Sequence, residues 1–321
     1  MFNRFARIVV CGAFIAWCNA TMAGNAAFTA DGRAVYMLTD APSSLDKIDV
    51  ERGTVSTVNV GLGKDDRVAG LALAKDKAFY LITKNALWYW KPGEGRAKWL
   101  EPAPKKVEFE DVACNPKTDE VLITSGSALY YKRVRCTEMV AVGIRYQPGR
   151  AIESPVFLPD GSFLFSATGD LWHGFIERTV EESAATNRWT NTDLVAYRYA
   201  PLAQRETYNG TPMESGIRAI GVSRNKVYAD FGRMGGSGWG RVIRLDLPVQ
   251  KAGSWASNNT AKETAKIIGS VNDLGDTSGG FVYLCGSPDG HRVYYGDGWS
   301  DGAGRRPHNS WIINDGKITE H

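Results

Sequence analysis

The chain has 321 residues, 43% of them hydrophobic and 23% charged, with 35 Gly and 10 Trp, which suits one large globular all-β domain. Its net charge is +3, from 38 Lys plus Arg against 35 Asp plus Glu. That balance lacks the basic surplus needed to neutralise a phosphate backbone and argues against nucleic acid as a partner.

At the N-terminus, Arg4 and Arg7 precede an apolar run at residues 8–17. The run is too short to cross a bilayer but suits the apolar region of a secretory signal. Cys18-Asn19-Ala20 and Thr21-Met22-Ala23 both place small residues where a signal peptidase cuts, so the mature chain is expected to begin at Thr21 or Gly24. On this reading residues 1–23 are a signal peptide and residues 24–321 are one domain. The expected location is the periplasm or the cell exterior, with no membrane insertion once the signal is removed. Trp17, directly before Cys18, is too bulky for lipoprotein processing. Removing the signal leaves Cys114, Cys136 and Cys285, enough for one disulfide at most. Cys114 and Cys285 sit at matching places in their repeats and read as buried free thiols.

Leu45, Leu87 and Leu129 recur at a spacing of 42 residues, each opening a short apolar run that follows a polar turn and an earlier apolar run. A period of ~40–45 residues with about four short strands per unit is the mark of a β-propeller blade, because one small twisted sheet cannot bury both faces without neighbours around a ring. The chain divides into six blades of four antiparallel strands, at roughly residues 24–64, 65–105, 106–150, 151–211, 212–270 and 271–321. Residues 25–29 are expected to form the innermost strand of blade one and residues 317–321 the outermost strand of blade six. In blade four the third strand reads equally well at residues 170–176 or 193–200; the second choice leaves residues 177–192 as a polar excursion. Blades four and six carry Pro159-Asp160-Gly161 and Pro288-Asp289-Gly290 between their first two strands. Pro presets φ and Gly supplies the left-handed conformation there, so Asp160 and Asp289 are turn residues rather than catalytic ones.

With their Pro-Asp-Gly turns and following apolar strands, blades four and six resemble the TolB-like and WD40-like bacterial propeller repeats. The match is partial in blades one and three and weak in blades two and five. The resemblance implies a secreted or periplasmic propeller used mostly for binding, often of protein partners, although related propellers include hydrolases and lactonases. No additional helical or αβ domain of the TolB sort is read in this sequence, which weakens any transfer of the Tol-system role.

Long loops are expected at one mouth of the channel. Residues 232–240 of blade five supply Arg233 and Trp239; residues 297–309 of blade six supply Asp297, Trp299, Asp301, Arg305 and His308. Flat aromatic faces beside charged groups suit a glycan, a peptide or a protein segment. Asp297 and Asp301 offer oxygen ligands to Ca²⁺, though without a third carboxylate at a loop-like interval. A second ring of charge, Arg67, Glu110, Asp111, Glu153 and Arg218, is expected where the chain enters the inner strands. It would either hold a zwitterionic ligand or neutralise itself as an ion-pair network.

No His-Glu-x-x-His, Gly-x-Ser-x-Gly, Cys-x-x-Cys or phosphate loop is present, and of the four histidines only His173 and His308 qualify as site members. The sequence therefore reads as a monomeric, non-enzymatic binding or scaffold propeller without a cofactor. Two enzymatic alternatives stay open. One is a Ca²⁺-dependent lactonase or esterase, for which residues 25–29 lack the acid such enzymes carry on their first inner strand. The other is a glycoside hydrolase using carboxylates among Glu110, Asp111 and Glu153.

Overall fold

The 42-residue period is a period of four-stranded sheets. The computed structural model describes residues 23–64, 66–115, 117–133, 138–144, 151–180, 189–199, 207–208, 211–212, 215–233, 240–247, 265–271, 281–298, 309–314 and 317–320. Blade one is Ala26–Phe28, Ala34–Leu38, Ser44–Asp49 and Val55–Asn59, paired in that order. Blade two is Gly70–Leu73, Phe79–Thr83, Ala86–Trp90 and Lys98–Pro102, and blade three is Asp111–Cys114, Val121–Ser125, Ala128–Lys132 and Val140–Ala141. Blade five is Ser215–Ser223, Lys226–Arg233, Gly240–Asp246 and Lys266–Val271; blade six is Phe281–Gly286, Arg292–Gly298, Asn309–Asn314 and Lys317–Glu320.

Blade four departs from the expected pattern of four antiparallel strands. Its inner strands are Glu153–Phe157 and Phe163–Ala167, followed by a long hairpin of Asp170–Val180 and Trp189–Arg198. A fifth strand, Gly143–Ile144, runs parallel to the last of these, so residues assigned to blade three complete blade four. The third strand is Asp170–Val180, and residues 193–198 belong to the fourth. There is thus no polar excursion at 177–180 or 189–192, since both stretches pair as strand. A small hairpin, Thr207–Tyr208 with Thr211–Pro212, lies between blades four and five.

Each inner strand packs against the inner strand of the next blade, and that of blade six packs against that of blade one. Six blades therefore close the ring, and among the described residues the first and last strands lie in separate blades with none exchanged between them. The core lies between blades because every second strand is covered on both faces: Ala34–Leu38, Phe79–Thr83 and Phe163–Ala167 are buried throughout. The outermost strand of blade one, Val55–Asn59, is polar and mostly exposed.

The repeated leucines have one job. Leu45, Leu87, Leu129 and Leu171 are each the second residue of a third strand, and each is 3% exposed or less. At that register the side chain points into the seam with a neighbouring blade, where burial of one leucine stabilises by roughly 1.5–3 kcal/mol. Aromatic residues fill the rest. Tyr36 meets Phe79 and Trp90 edge-on at 5.2 Å between blades one and two, and Phe165 stacks on Trp172 at 5.9 Å within blade four.

The strand turns follow the sequence reading. Gly161 and Gly290 have φ of 92° and 86°. Asp160 Oδ1 accepts Ser162 N–H at 3.0 Å, and Asp289 Oδ1 accepts His291 N–H at 2.9 Å, so both aspartates cap their own turns.

Candidate functional site

The axial channel has two unlike ends. At the end where inner strands begin, the chain enters blade one through a short turn, Ala23–Asn25, that packs against the inner strands of blades two to six. Gly24 and Asn25 are both buried. Gly24 N–H donates to Asp111 Oδ1 at 2.6 Å, and Asn25 Nδ2 donates to the Val282 carbonyl at 3.3 Å. This turn closes the channel at that end.

Asp111 is the first residue of blade three's inner strand and is 2% exposed. Its Oδ1 also accepts Val112 N–H at 2.7 Å, and its Oδ2 accepts Ser154 N–H at 3.1 Å. Ser154 sits at a bulge in blade four with φ of 57° and donates its hydroxyl to the Arg218 carbonyl at 3.2 Å. Bulges re-aim the side chains beside them. Next to this one, half-buried Glu153 has a carboxyl raised to about 7, first by burial and then by the charge of Glu110. Glu110 accepts Gly126 N–H at 2.7 Å through Oε2, which ties it to the turn between blade three's second and third strands.

Arg218 is buried and donates through Nε to Asp230 Oδ2 at 2.6 Å. Asp230 is fully buried and also accepts the Tyr295 hydroxyl at 3.3 Å, so the pair bridges blades five and six. Glu110, Asp111, Glu153 and Arg218 thus lie at one end of the channel, and Arg218 and Asp111 are held in structural bonds; Arg67 is exposed. Asp230 and Ser154 were not singled out from the sequence, and Gly24 was singled out only as a candidate mature start. Asp230 had a readable signal, an acid inside the apolar strand Val227-Tyr228-Ala229-Asp230-Phe231, since a buried acid requires a partner. The bonds that Ser154 and Gly24 make run across blades, and those contacts have no local signal.

The two mouth loops begin and end at this same end. Arg233 pairs with Ser215 and Gly298 pairs with Phe281, so the second strands of blades five and six both finish beside the starts of their inner strands. The backbones of Arg233 and Asp297 are placed there. Trp239, Trp299, Asp301, Arg305 and His308 lie outside the described residues. Among the described residues no group of three or more His, Cys, Asp and Glu side chains is placed to hold a metal ion.

The rest of the channel is apolar. A cavity of about 470 Å³ is lined by residues of all six inner strands, including Ala27, Leu71, Ala113, Val156, Ile220 and Leu284. Its rim, at the Pro-Asp-Gly turn end, carries Lys117, Arg224 and Asn225. Lys117 donates to the Pro159 carbonyl across the blade three–four seam. Cys285 and Cys114 line the cavity as free thiols, buried and half-buried, and burial raises both so that they stay neutral. Cys136 lies outside the described residues.

A second, more polar cavity of about 770 Å³ opens between blades three and four, lined by Lys75, Asp119, Arg133, Asp160 and Phe175 among others. Close to it, His173 is 6% exposed, with Nε2 at 2.7 Å from Ser162 Oγ and Nδ1 at 3.0 Å from the Tyr199 hydroxyl. Phe175 stacks on its ring at 4.5 Å. Burial lowers it to about 4 despite the attraction of Asp160. His173 is a packed, neutral core residue.

No protein-family model matches the chain, and no curated protein does. Solved structures do match. The WD40 repeats of RRP9 superpose with a TM-score of 0.56 at 12% identity, covering 94% of this chain and 95% of that one. The Cps50 (Swd1) β-propeller domain of Myceliophteria thermophila gives 0.53 at 9% identity, over 94% of this chain and 85% of that one. Regucalcin from Agrobacterium tumefaciens, a calcium-binding protein, gives 0.51 at 14% identity, over 89% and 86%. What the chain shares with these proteins is the β-propeller fold.

Proposed function

We propose that the protein is a periplasmic or secreted binding propeller that takes a peptide or protein segment at its axial channel, by way of a channel mouth. The observation that carries this reading is the apolar cavity of about 470 Å³, which all six inner strands line and which opens at the turn end. Its size and lining are those of a ligand pocket: mostly apolar walls with a few polar groups at the rim. Lys117 and Arg224 at that rim favour a segment with an acidic end. The charged groups at the other end serve the fold, because Asp111 binds backbone amides and Arg218 binds Asp230. The loops bearing Trp239 and Trp299 remain the candidate mouth at that closed end, for a glycan or a protein surface.

One observation favours a second, enzymatic reading. A carboxyl raised to about 7 beside another carboxylate, as at Glu153 and Glu110, is the pairing a glycoside hydrolase needs for its general acid.

The test uses the exported protein against a random peptide library, a glycan array and a panel of chromogenic glycosides and lactones. Leu73→Trp and Val222→Arg, at two positions lining the cavity, should abolish peptide capture, with melting followed alongside because both side chains also pack on the core. Loss of capture in Trp239→Ala or Trp299→Ala instead would move the site to the other mouth. Turnover of a glycoside that disappears in Glu153→Gln would overturn the binding reading.

A further inference from the structure

Gly24 stands at a buried position where only glycine fits. A Cβ built there would lie 2.4 Å from Asp111 Oδ1 and 3.3 Å from the backbone of Val112. The Gly24 N to Asp111 Oδ1 distance of 2.6 Å is at the short end for N–H···O and falls with charge-assisted hydrogen bonds. Three carboxylates, Asp111, Glu110 and Glu153, gather on the blade three and blade four segments that flank this turn, while Arg218 on the adjoining inner strand of blade five is engaged by Asp230. The neighbouring Asn25 is 2% exposed, and its side-chain Oδ1 has no hydrogen-bond donor among the described residues. The position thus favours a positive nitrogen with more than one N–H to give.

A peptide nitrogen has one N–H and no charge. An α-ammonium has three donors and a full positive charge. Thr21-Met22-Ala23, directly before Gly24, is one of the two segments whose small residues suit a signal peptidase. We propose that cleavage between Ala23 and Gly24 makes Gly24 the mature N-terminus, and that its α-ammonium docks on Asp111 as a buried ion pair closing the strand-start end of the channel. The cut hydrolyses the Ala23–Gly24 peptide bond: water adds its hydroxyl to the Ala23 carbonyl carbon, and the Gly24 nitrogen leaves as an amine that takes up protons. It precedes folding, because Gly24 is buried in the folded ring. The ion pair ties blade three to the first residue of blade one, so export and completion of the propeller become linked. The inference holds whatever the propeller binds.

The experiment begins with the intact mass of the full chain after export from a bacterial host. The expected product is residues 24–321, and a product beginning at Thr21 or retaining residues 1–23 overturns the proposal. Four proteins are then melted: a Gly24 start and an Ala23-Gly24 start, each with and without Asp111→Asn. The added alanine should lower the melting temperature by at least about 4 °C in the wild-type background and by much less in Asp111→Asn. An equal effect in both backgrounds, or none, overturns it. Should Asp111→Asn fail to fold, amine acylation of the Gly24-start protein decides. The α-amine should react at least tenfold more slowly in the folded protein than in urea, and equal rates overturn the proposal.

Discussion

His173 and Glu153 should pull the stability of this propeller in opposite directions as pH changes. His173 moves from an ordinary 6.5 to about 4 on folding, because a ring packed against Phe175 and bonded to Ser162 and Tyr199 cannot be hydrated when charged. Its folded form is the poorer base, so its stabilisation is complete above about pH 6.5 and is lost as pH falls toward 4. At about 1.4 kcal/mol for each pH unit between the two values, the loss totals roughly 3 kcal/mol. Glu153 moves the other way, from 4.5 to about 7. Its contribution is complete below about pH 4.5 and is lost as pH rises through 7; roughly 3 kcal/mol is its ceiling, reduced by solvent at its open edge. Between pH 4.5 and 6.5 the two nearly cancel in the wild type. Urea unfolding of the wild type, His173→Asn and Glu153→Gln at several pH values from 4.5 to 7.5 separates them. Relative to the wild type, Glu153→Gln should gain stability as pH rises, and His173→Asn should lose it. Two flat difference curves would refute the burial argument for both residues.

Arg218→Met leaves Asp230 charged and fully buried, at a cost of about 3–5 kcal/mol, whereas Arg218→Met with Asp230→Leu should recover much of that loss in a double-mutant cycle. Gly286→Ala should destabilise by about 3 kcal/mol, because a Cβ there would lie 2.2 Å from the Val222 carbonyl oxygen on the adjacent inner strand. Gly95→Ala, with nothing within 4 Å of the added carbon, should change stability by under about 0.5 kcal/mol, and thermal melting of the two variants checks both. Trp239→Ala and Trp299→Ala are expected to weaken capture of any ligand held at the blade five and six mouth by about 2 kcal/mol with little change in melting temperature. A drop of many degrees with binding intact would make those tryptophans core residues.

What the chain determined by itself is what depends on local chemistry and period. The leucine spacing placed third strands at Leu45, Leu87 and Leu129, because a side chain at one register of a strand must meet the neighbouring blade whatever that blade's sequence is, whereas the choice of Leu171 over residues 193–200 in blade four came only from the strand pairing. The Pro-Asp-Gly turns and the inward position of blade one's first strand were legible for the same reason. The fifth strand of blade four was not, since parallel pairing of Gly143–Ile144 with the chain some 50 residues later leaves no period to read. Nor was the use made of each charged residue. Arg218 with Asp230 and His173 with Ser162 are joined across adjacent strands or turns of one blade, where the strand register decides which side chains meet, and Asp111 with Gly24 is joined across blades, where only closure of the ring brings the pair within bonding distance. Ring closure also decides which residues face the channel. Sequence can supply an apolar strand, but six of them must meet around an axis before there is a cavity to fill.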